Sequence, residues 1–165
     1  MMNFTDGSSR GTIIMSRLRN TPQFIDTAVS RSDFSITGTM LPKFGIVLAQ
    51  RALYGAPSVS GTVQAQRVYW SDRRDGNLLT DINTQFESFE TGEGNDVDAL
   101  HVFGELGVVG QRDHIFLLAV NPSALKPFAV RELPGGKLRG MVSHQGVVVG
   151  DGKLWWMGQK NIHSM

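Results

Sequence analysis

The groups in this sequence that could transfer a proton or bind a metal are fifteen acidic residues and four histidines, His101, His114, His144 and His163. No two histidines have the spacing of a metal-binding motif. Asp113 precedes His114, but consecutive residues of a strand or loop point apart and do not form a catalytic dyad. Ser143 precedes His144 without the Gly-x-Ser-x-Gly turn that exposes a nucleophile. The sequence therefore predicts no catalytic residue.

Two segments have the composition of ligand-binding loops without their spacing. Residues 87–98 hold five acidic side chains and two glycines, but they do not match the ligand positions, the sixth-position glycine and the twelfth-position glutamate of an EF-hand loop. The glycines between Gly104 and Gly110 lack the lysine and helix that follow a phosphate-binding loop. The absence of cysteine excludes thiolate chemistry, cysteine-rich zinc sites and iron–sulfur clusters. We therefore expect no metal and no cofactor.

The adjacent pair Trp155 and Trp156 indicates a recognition surface. In a strand the two rings face opposite sides, so one ring joins the core while the other lies at an interface, at a ligand platform or under a covering loop. The alternative is that the chain itself covers both rings. Five arginines are further interaction candidates: Arg10, Arg17 and Arg19 near the N-terminus, and Arg73 and Arg74 in a polar turn.

Charge and hydropathy limit the kinds of partner. The net charge of +1 argues against a dedicated nucleic-acid binder. No apolar run approaches the length of a membrane span, and the first residues lack the basic and apolar regions of a secretory signal. We therefore expect no membrane partner, and a protein that is made and folded in a cytoplasm.

Strands must position these side chains. The 19 glycines separate short apolar runs, a pattern typical of many turns between strands. Residues 67–70 and 78–79 flank a polar segment that contains Asp75 and Gly76, which favours a tight hairpin. Further strands are predicted at residues 34–40, 100–103, 115–120 and 128–130, followed by a β-meander over residues 138–157.

Two segments fit either a helix or a strand. Residues 43–54 have apolar side chains at helical spacing after Pro42, although Gly45 and the β-branched pair that follows it suit a strand. Residues 80–91 have apolar side chains at positions i, i+4 and i+7 after the possible N-cap Thr80. The sequence thus predicts one or two short helices, with irregular strands as the alternative.

The predicted fold is mainly β, a single sandwich-like or barrel-like domain with a C-terminal meander. The domain covers residues 32–157, and residues 158–165 form a short tail. Residues 1–31 are predicted to form an extended cationic arm with one strand at 12–15, which becomes ordered on another subunit or remains frayed.

Four segments carry a family resemblance: SGTV at 60–63, RVYWSDRRDG at 67–76, FGEL at 103–106 and IFLLAVN at 115–121. The region 58–133 resembles the immunoglobulin-like or carboxypeptidase-regulatory-like β-sandwich modules of tailed-phage virion proteins. It departs from them at residues 80–98, where the family has a short strand and turn, and the meander after Pro134 has no clear counterpart. Because that family is mostly structural, the resemblance implies a virion component and assigns no catalytic residues.

We therefore expect a structural bacteriophage protein, a tail, baseplate or capsid-associated subunit, that assembles in the host cytoplasm into the virion. Its expected partners are copies of itself and other virion proteins, engaged through the arm and strand edges. One alternative is a carbohydrate- or receptor-binding module that uses Trp70, Trp155 or Trp156 as a stacking surface. A second alternative is a hydrolase of unrecognised family, whose histidines and carboxylates would converge in one cleft.

Overall fold

The structure, a computed structural model, describes residues 2–5, 10–14, 23–26, 31–33, 40–73, 78–121, 126–134 and 139–165. These residues form strands in five antiparallel sheets and one 3₁₀ turn, which confirms the mainly β fold class. The chain divides into two compact units, Met1–Ser88 and Phe89–Met165. This division coincides with neither of the predicted boundaries at residues 31 and 157, and the segments that carry the family resemblance fall in both units.

The first unit contains three sheets, with strand orders β1-β2-β3-β4, β11-β10-β7-β6 and β5-β8-β9. The strands are β1 (Met2–Thr5), β2 (Arg10–Ile14), β3 (Gln23–Asp26), β4 (Arg31–Asp33), β5 (Met40–Leu41), β6 (Phe44–Leu48), β7 (Arg51–Gly55), β8 (Ser58–Val59), β9 (Thr62–Val63), β10 (Arg67–Trp70) and β11 (Phe86–Ser88). The segment predicted as an arm with one strand thus contains paired strands from β1 to β4. Of the strand predicted at residues 34–40, residues 34–39 lie outside the described residues.

The predicted hairpin at residues 67–79 is half right. β10 forms where expected, but the partner predicted at Leu78 and Leu79 is wrong, because β10 pairs instead with β7 on one side and β11 on the other. Leu79 is 1 % exposed and packs in the core cluster with Tyr54 and Tyr69. Apolar character at this position therefore reflects burial of a loop residue. The turn residues Asp75 and Gly76 lie outside the described residues.

Side-chain hydrogen bonds hold the loop between β10 and β11. The carboxylate of Asp72 accepts hydrogen bonds from Thr80 Oγ1 and, at 2.6 Å, from Gln85 Nε2. Just before it, the buried hydroxyl of Ser71 accepts a hydrogen bond from the backbone N–H of Ala52 at 3.0 Å. Ser71 thereby ties the start of the loop to β7, and Asp72 joins that start to Thr80 and Gln85.

The helix predicted at residues 43–54 is wrong, because β6 and β7 form a hairpin there. The two turn residues, Ala49 and Gln50, have φ of 50° and 63°. A two-residue hairpin turn requires such positive φ values, and glycine, asparagine and aspartate are the residues that usually supply them. Alanine and glutamine carry no turn signal, so the helical spacing of the apolar residues dominated the sequence pattern.

The helix predicted at residues 80–91 is also wrong, since only its first part turns. The carbonyl oxygen of Asp81 accepts hydrogen bonds from the backbone N–H groups of Thr84 at 3.1 Å and Gln85 at 2.9 Å. The chain then extends into β11, where the ring of Phe86 lies 5.2 Å from that of Tyr69. Packing against β10 therefore overrides the local helical pattern.

The second unit contains two sheets, with strand orders β12-β13-β14-β15 and β16-β17-β18. The strands are β12 (Val97–Phe103), β13 (Leu106–Gln111), β14 (Ile115–Val120), β15 (Phe128–Glu132), β16 (Val147–Gly150), β17 (Lys153–Met157) and β18 (Ile162–Ser164), with the 3₁₀ turn at His144–Gly146. The meander forms as expected around residue 151, but its predicted first part is wrong, because residues 139–143 form no strand. At its other end it extends further than predicted. Residues assigned to a C-terminal tail supply its third strand, β18.

The two sheets of this unit pack face to face like the layers of a sandwich. Their shared core cluster consists of Ala99, Val108, Ile115, Met141, Leu154 and Trp156. Met141 lies directly over Gly110, where an added Cβ would fall 2.5 Å from the Met141 sulfur. The packing of Met141 on β13 therefore requires a glycine at this position.

One buried amide closes the loop that opens the second unit. Gln111 is fully buried, and its Nε2 donates hydrogen bonds to the carbonyl oxygens of Phe89 at 2.6 Å and Asn95 at 2.8 Å. Between these two anchors, Gly92 and Gly94 are exposed and have positive φ. A single side chain thus anchors the acidic segment, residues 87–98, at two points.

Candidate functional site: the outer face of the C-terminal sheet

The two adjacent tryptophans occupy opposite faces of β17, as strand geometry predicts. Trp156 is 2 % exposed, and its indole N–H donates a hydrogen bond to the carbonyl oxygen of Arg139 at 2.7 Å. Trp155 is 36 % exposed. Trp156 therefore belongs to the core, which does not fit its expected role in interaction, and the alternative that the chain covers both rings does not hold for Trp155.

The surface around Trp155 is built by the register of three strands. Val148 on β16 and Ser164 on β18 lie directly opposite Trp155, and Ile162 on β18 lies opposite Met157. Residues directly opposite each other in antiparallel strands point to the same side of the sheet. We call the surface of Val148, Trp155, Met157 and Ile162 the outer face.

The outer face is apolar and open to solvent. Val148 is 63 % exposed, Met157 51 % and Ile162 71 %. Side chains of these sizes leave roughly 400 Å² of apolar surface, which is within the range of the largest patches on monomeric proteins, and such patches often serve in binding. The Nζ of Lys153 lies 5.7 Å from the centroid of the Trp155 ring. The face thus carries a lysine beside its aromatic ring.

Two tight turns hold the three strands in this arrangement. Asp151 and Gly152, with φ of 51° and 71°, join β16 to β17. Between β17 and β18, the backbone N–H of Gly158 donates to the carbonyl oxygen of Asn161 at 2.8 Å. A Cβ at Gly158 would lie 2.8 Å from the ring of His163, so this turn depends on glycine. The outer face is therefore presented by a constrained scaffold.

The five candidate arginines do not form a site among the described residues. Arg17, Arg19 and Arg74 lie outside them, and of Arg10 only the backbone, in β2, is described. Arg73 is exposed, and its Nε donates a hydrogen bond to Gln50 Oε1 at 2.9 Å. Arg73 thus joins the β6–β7 turn to the loop after β10.

Two of the four histidines form a stacked pair in the second unit. The rings of His101 on β12 and His144 in the 3₁₀ turn have centroids 4.2 Å apart and planes 21° apart. The His101 Nε2–H donates to the carbonyl oxygen of His144 at 2.7 Å. Burial lowers the pKa of both rings, and burial together with the neighbouring His101 lowers the pKa of His144 to about 4. Both rings are therefore neutral at pH 7.

A third histidine lies between two carboxylates. The Nδ1 of His114 lies 2.7 Å from Glu132 Oε1, and its Nε2 lies 3.9 Å from Glu93 Oε2. Within the described part of the chain, this buried Nε2 has no hydrogen-bond partner, so no nucleophile is hydrogen-bonded to it. The carboxylate of Glu132 orients the imidazole, as general-base catalysis would need. A hydrolytic site would also need a nucleophile hydrogen-bonded to that imidazole, and the described residues place none there.

The described ranges contain no group of three or more histidine, cysteine or acidic residues that could hold a metal ion. Nor does any helix in these ranges have the length and hydropathy needed to cross a membrane.

Sequence reasoning found Trp155 but missed the other members of the outer face. The period of two along β17 could have placed Met157 on the same side of the strand as Trp155. Val148 and Ile162 join them only through strand register, and Ile162 was assigned to a tail. A signal was present in Asn161 and the two residues before it, which are polar and follow a glycine as in a turn.

The comparisons with known proteins give no relative for this chain, since no family profile and no curated protein matches it.

Proposed function

We propose that this chain is a structural subunit that works by self-assembly, and that the particle it builds is a bacteriophage virion. The observation that carries the proposal is the outer face, with four large apolar side chains exposed on one side of a constrained sheet. Solvent exposure of apolar surface is unfavourable by about 25 cal/mol per Å², so covering this face stabilises an assembly.

A second copy of the chain is the proposed occupant of the outer face. Roughly 400 Å² is half of the approximately 800 Å² that each partner contributes to a standard interface. The face alone is therefore too small for a tight isolated dimer. It suits a ring or lattice, in which each subunit makes contacts with more than one neighbour and the contacts reinforce one another.

The virion setting is supported by the resemblance of residues 58–133 to phage sandwich modules. A tail, baseplate or capsid-associated position fits a chain whose described residues form small antiparallel sheets. The basic N-terminal residues are proposed to add contacts with other virion proteins. Assembly into the particle takes place in the host cytoplasm under this proposal.

Val148→Lys tests the assembly proposal, with Val63→Lys as the matched control. Val63 is 68 % exposed on β9 in the first unit, so the control adds the same charge at a similarly exposed valine. Light scattering and negative-stain electron microscopy of the wild type should show rings or larger assemblies. Val148→Lys should shift the particles to monomers, because a buried unpaired ammonium is strongly unfavourable, whereas Val63→Lys should assemble normally.

Two results would contradict the proposal. One is a wild-type chain that stays monomeric across the accessible concentration range. The other is equal assembly of the Val148→Lys and Val63→Lys variants, because contacts elsewhere would then hold the particle together.

The glycan-binding alternative has narrower support. Trp70 is 4 % exposed and Trp156 2 %, so of the three tryptophans only Trp155 offers a ring to a sugar. Lys153 lies beside that ring and can donate hydrogen bonds to hydroxyl groups. A glycan array on the isolated protein distinguishes the two functions, because a structural subunit should show no selective binding.

A further inference from the structure

The 3₁₀ turn at His144–Gly146 closes the free edge of β12. β12 is the terminal strand of its sheet, so one side of its backbone lacks a partner strand within that sheet. On that side, the backbone N–H of Leu100 donates to His144 Nδ1 at 3.3 Å. The next residue, His101, donates from its Nε2 to the carbonyl oxygen of His144 at 2.7 Å. The two histidines thus hold the turn on the strand through one hydrogen bond to the His144 ring and one to the His144 backbone.

This pattern of donors fixes the protonation of His144. The Leu100 N–H is a donor only, so His144 Nδ1 must accept and carries no proton. Protonation of Nδ1 would replace that acceptor with a second donor facing the backbone N–H. His101 differs, because its hydrogen bond uses an Nε2–H that is present in both the neutral and the charged ring. His144 is therefore the ring whose protonation breaks a contact.

Burial and the neighbouring His101 both disfavour a positive charge on His144. From β12 the titratable group against it is His101, stacked at 4.2 Å. β16, which follows the turn, consists of valines and a glycine. In the turn itself, the hydroxyl of Ser143 is occupied by the N–H of Gln145. His163, the other histidine of this sheet, lies against Trp156. Two imidazolium rings stacked at this distance repel each other.

We infer that His101 and His144 form an acid-sensitive latch, which holds the 3₁₀ turn on the edge of β12 at neutral pH and releases it on protonation. The lowered pKa of His144, to about 4, agrees with this geometry. The core cluster of Leu154 and Trp156 contains neither latch histidine, so we expect the rest of the sandwich to stay folded when the latch opens. Acid therefore uncovers a strand edge, a surface that can pair with another strand.

Hydrogen exchange of the Leu100 amide in the full-length wild type tests the latch. Val109 is directly opposite Leu100 on β13 and serves as the internal reference, since it lies between two strands. Between pH 7.5 and 4.5, after correction for intrinsic exchange rates, protection of Leu100 should fall about tenfold or more relative to Val109. An equal change at the two amides would overturn the inference.

Two further measurements keep the test decisive. His144→Asn places a non-titrating amide oxygen near the position of Nδ1, so the pH dependence at Leu100 should disappear; the same loss of protection in this variant would contradict the latch. If His144→Asn does not fold, NMR titration of the wild-type ring decides. A His144 midpoint well below 6.5 supports the latch, and a midpoint at or above 6.5 overturns it.

Discussion

Trp156→Ala should lower the free energy of unfolding by about 4 kcal/mol, whereas Trp155→Ala should lower it by less than about 1 kcal/mol. Trp156 is 2 % exposed and packs in a cluster with Met141 and Leu154. Deleting a buried aromatic ring of this kind typically costs about 3–5 kcal/mol. The carbonyl oxygen of Arg139 loses the hydrogen bond from the indole N–H. Because Arg139 is exposed, water can replace that donor, so the lost hydrogen bond adds little to the cost of the substitution.

Urea denaturation followed by far-ultraviolet circular dichroism measures the free energy of unfolding that each of the two alanine variants loses. A domain has only about 5–15 kcal/mol of stability, so Trp156→Ala can leave the second unit unfolded. Trp156→Phe then serves in its place, with an expected cost of about 1–2 kcal/mol from the lost hydrogen bond and volume. Equal costs for the alanine variants, or a larger cost at Trp155, would refute the assignment of inner and outer faces.

Two further predictions concern the hairpin turn and acid stability. Ala49→Asn should raise the free energy of unfolding by about 0.5–1 kcal/mol, because Ala49 has φ of 50° and asparagine tolerates that conformation better; an unchanged or lowered melting temperature would contradict this. The folded pKa of His144 lies below its unfolded value of 6.5, so its stabilisation is complete above pH 6.5 and is lost as pH falls towards 4. Its full linkage value is about 3 kcal/mol, which solvent screening at this half-buried ring reduces to about 1–2 kcal/mol. Denaturation midpoints from pH 7.5 to 4.5 measure this loss, and His144→Asn should remove it.

Local patterns predicted the strands and turns whose signals lie within a few residues. The β-branched and aromatic residues of β10 and the apolar run of β14 gave strands at the expected positions. Asp151 and Gly152 gave the expected turn, because both adopt the positive φ that it needs. The opposite faces of the two tryptophans followed from the period of two along a strand.

The errors arose where distant residues decide the structure. The partner of β10 is β11 rather than the apolar pair at residues 78 and 79, since tertiary burial took Leu79 into the core. Ala49 and Gln50 form a turn that their residue types disfavour, and β7 pairs not only with β6 but also with the distant strand β10. Neither the pairing partner of β10 nor the hairpin of β6 and β7 can be predicted from the nearest ten residues of the sequence.

The candidate site was predictable only in part for the same reason. Trp155 could be named from its position beside Trp156, but the outer face depends on which residues of β16 and β18 lie opposite it. The latch of His101 and His144 joins residues more than forty positions apart. Contacts between residues so far apart in the sequence can be identified only once the pairing of the strands is known.

The clamp that Gln111 forms on the acidic loop has a practical consequence for labelling the protein. Because one amide binds both Phe89 and Asn95, the chain between them leaves and re-enters the fold at two fixed points. The exposed glycines Gly92 and Gly94 lie between those points. A peptide tag or a fluorescent reporter inserted there should project into solvent without disturbing either sheet, which makes this loop the preferred site for following the subunit inside an assembly.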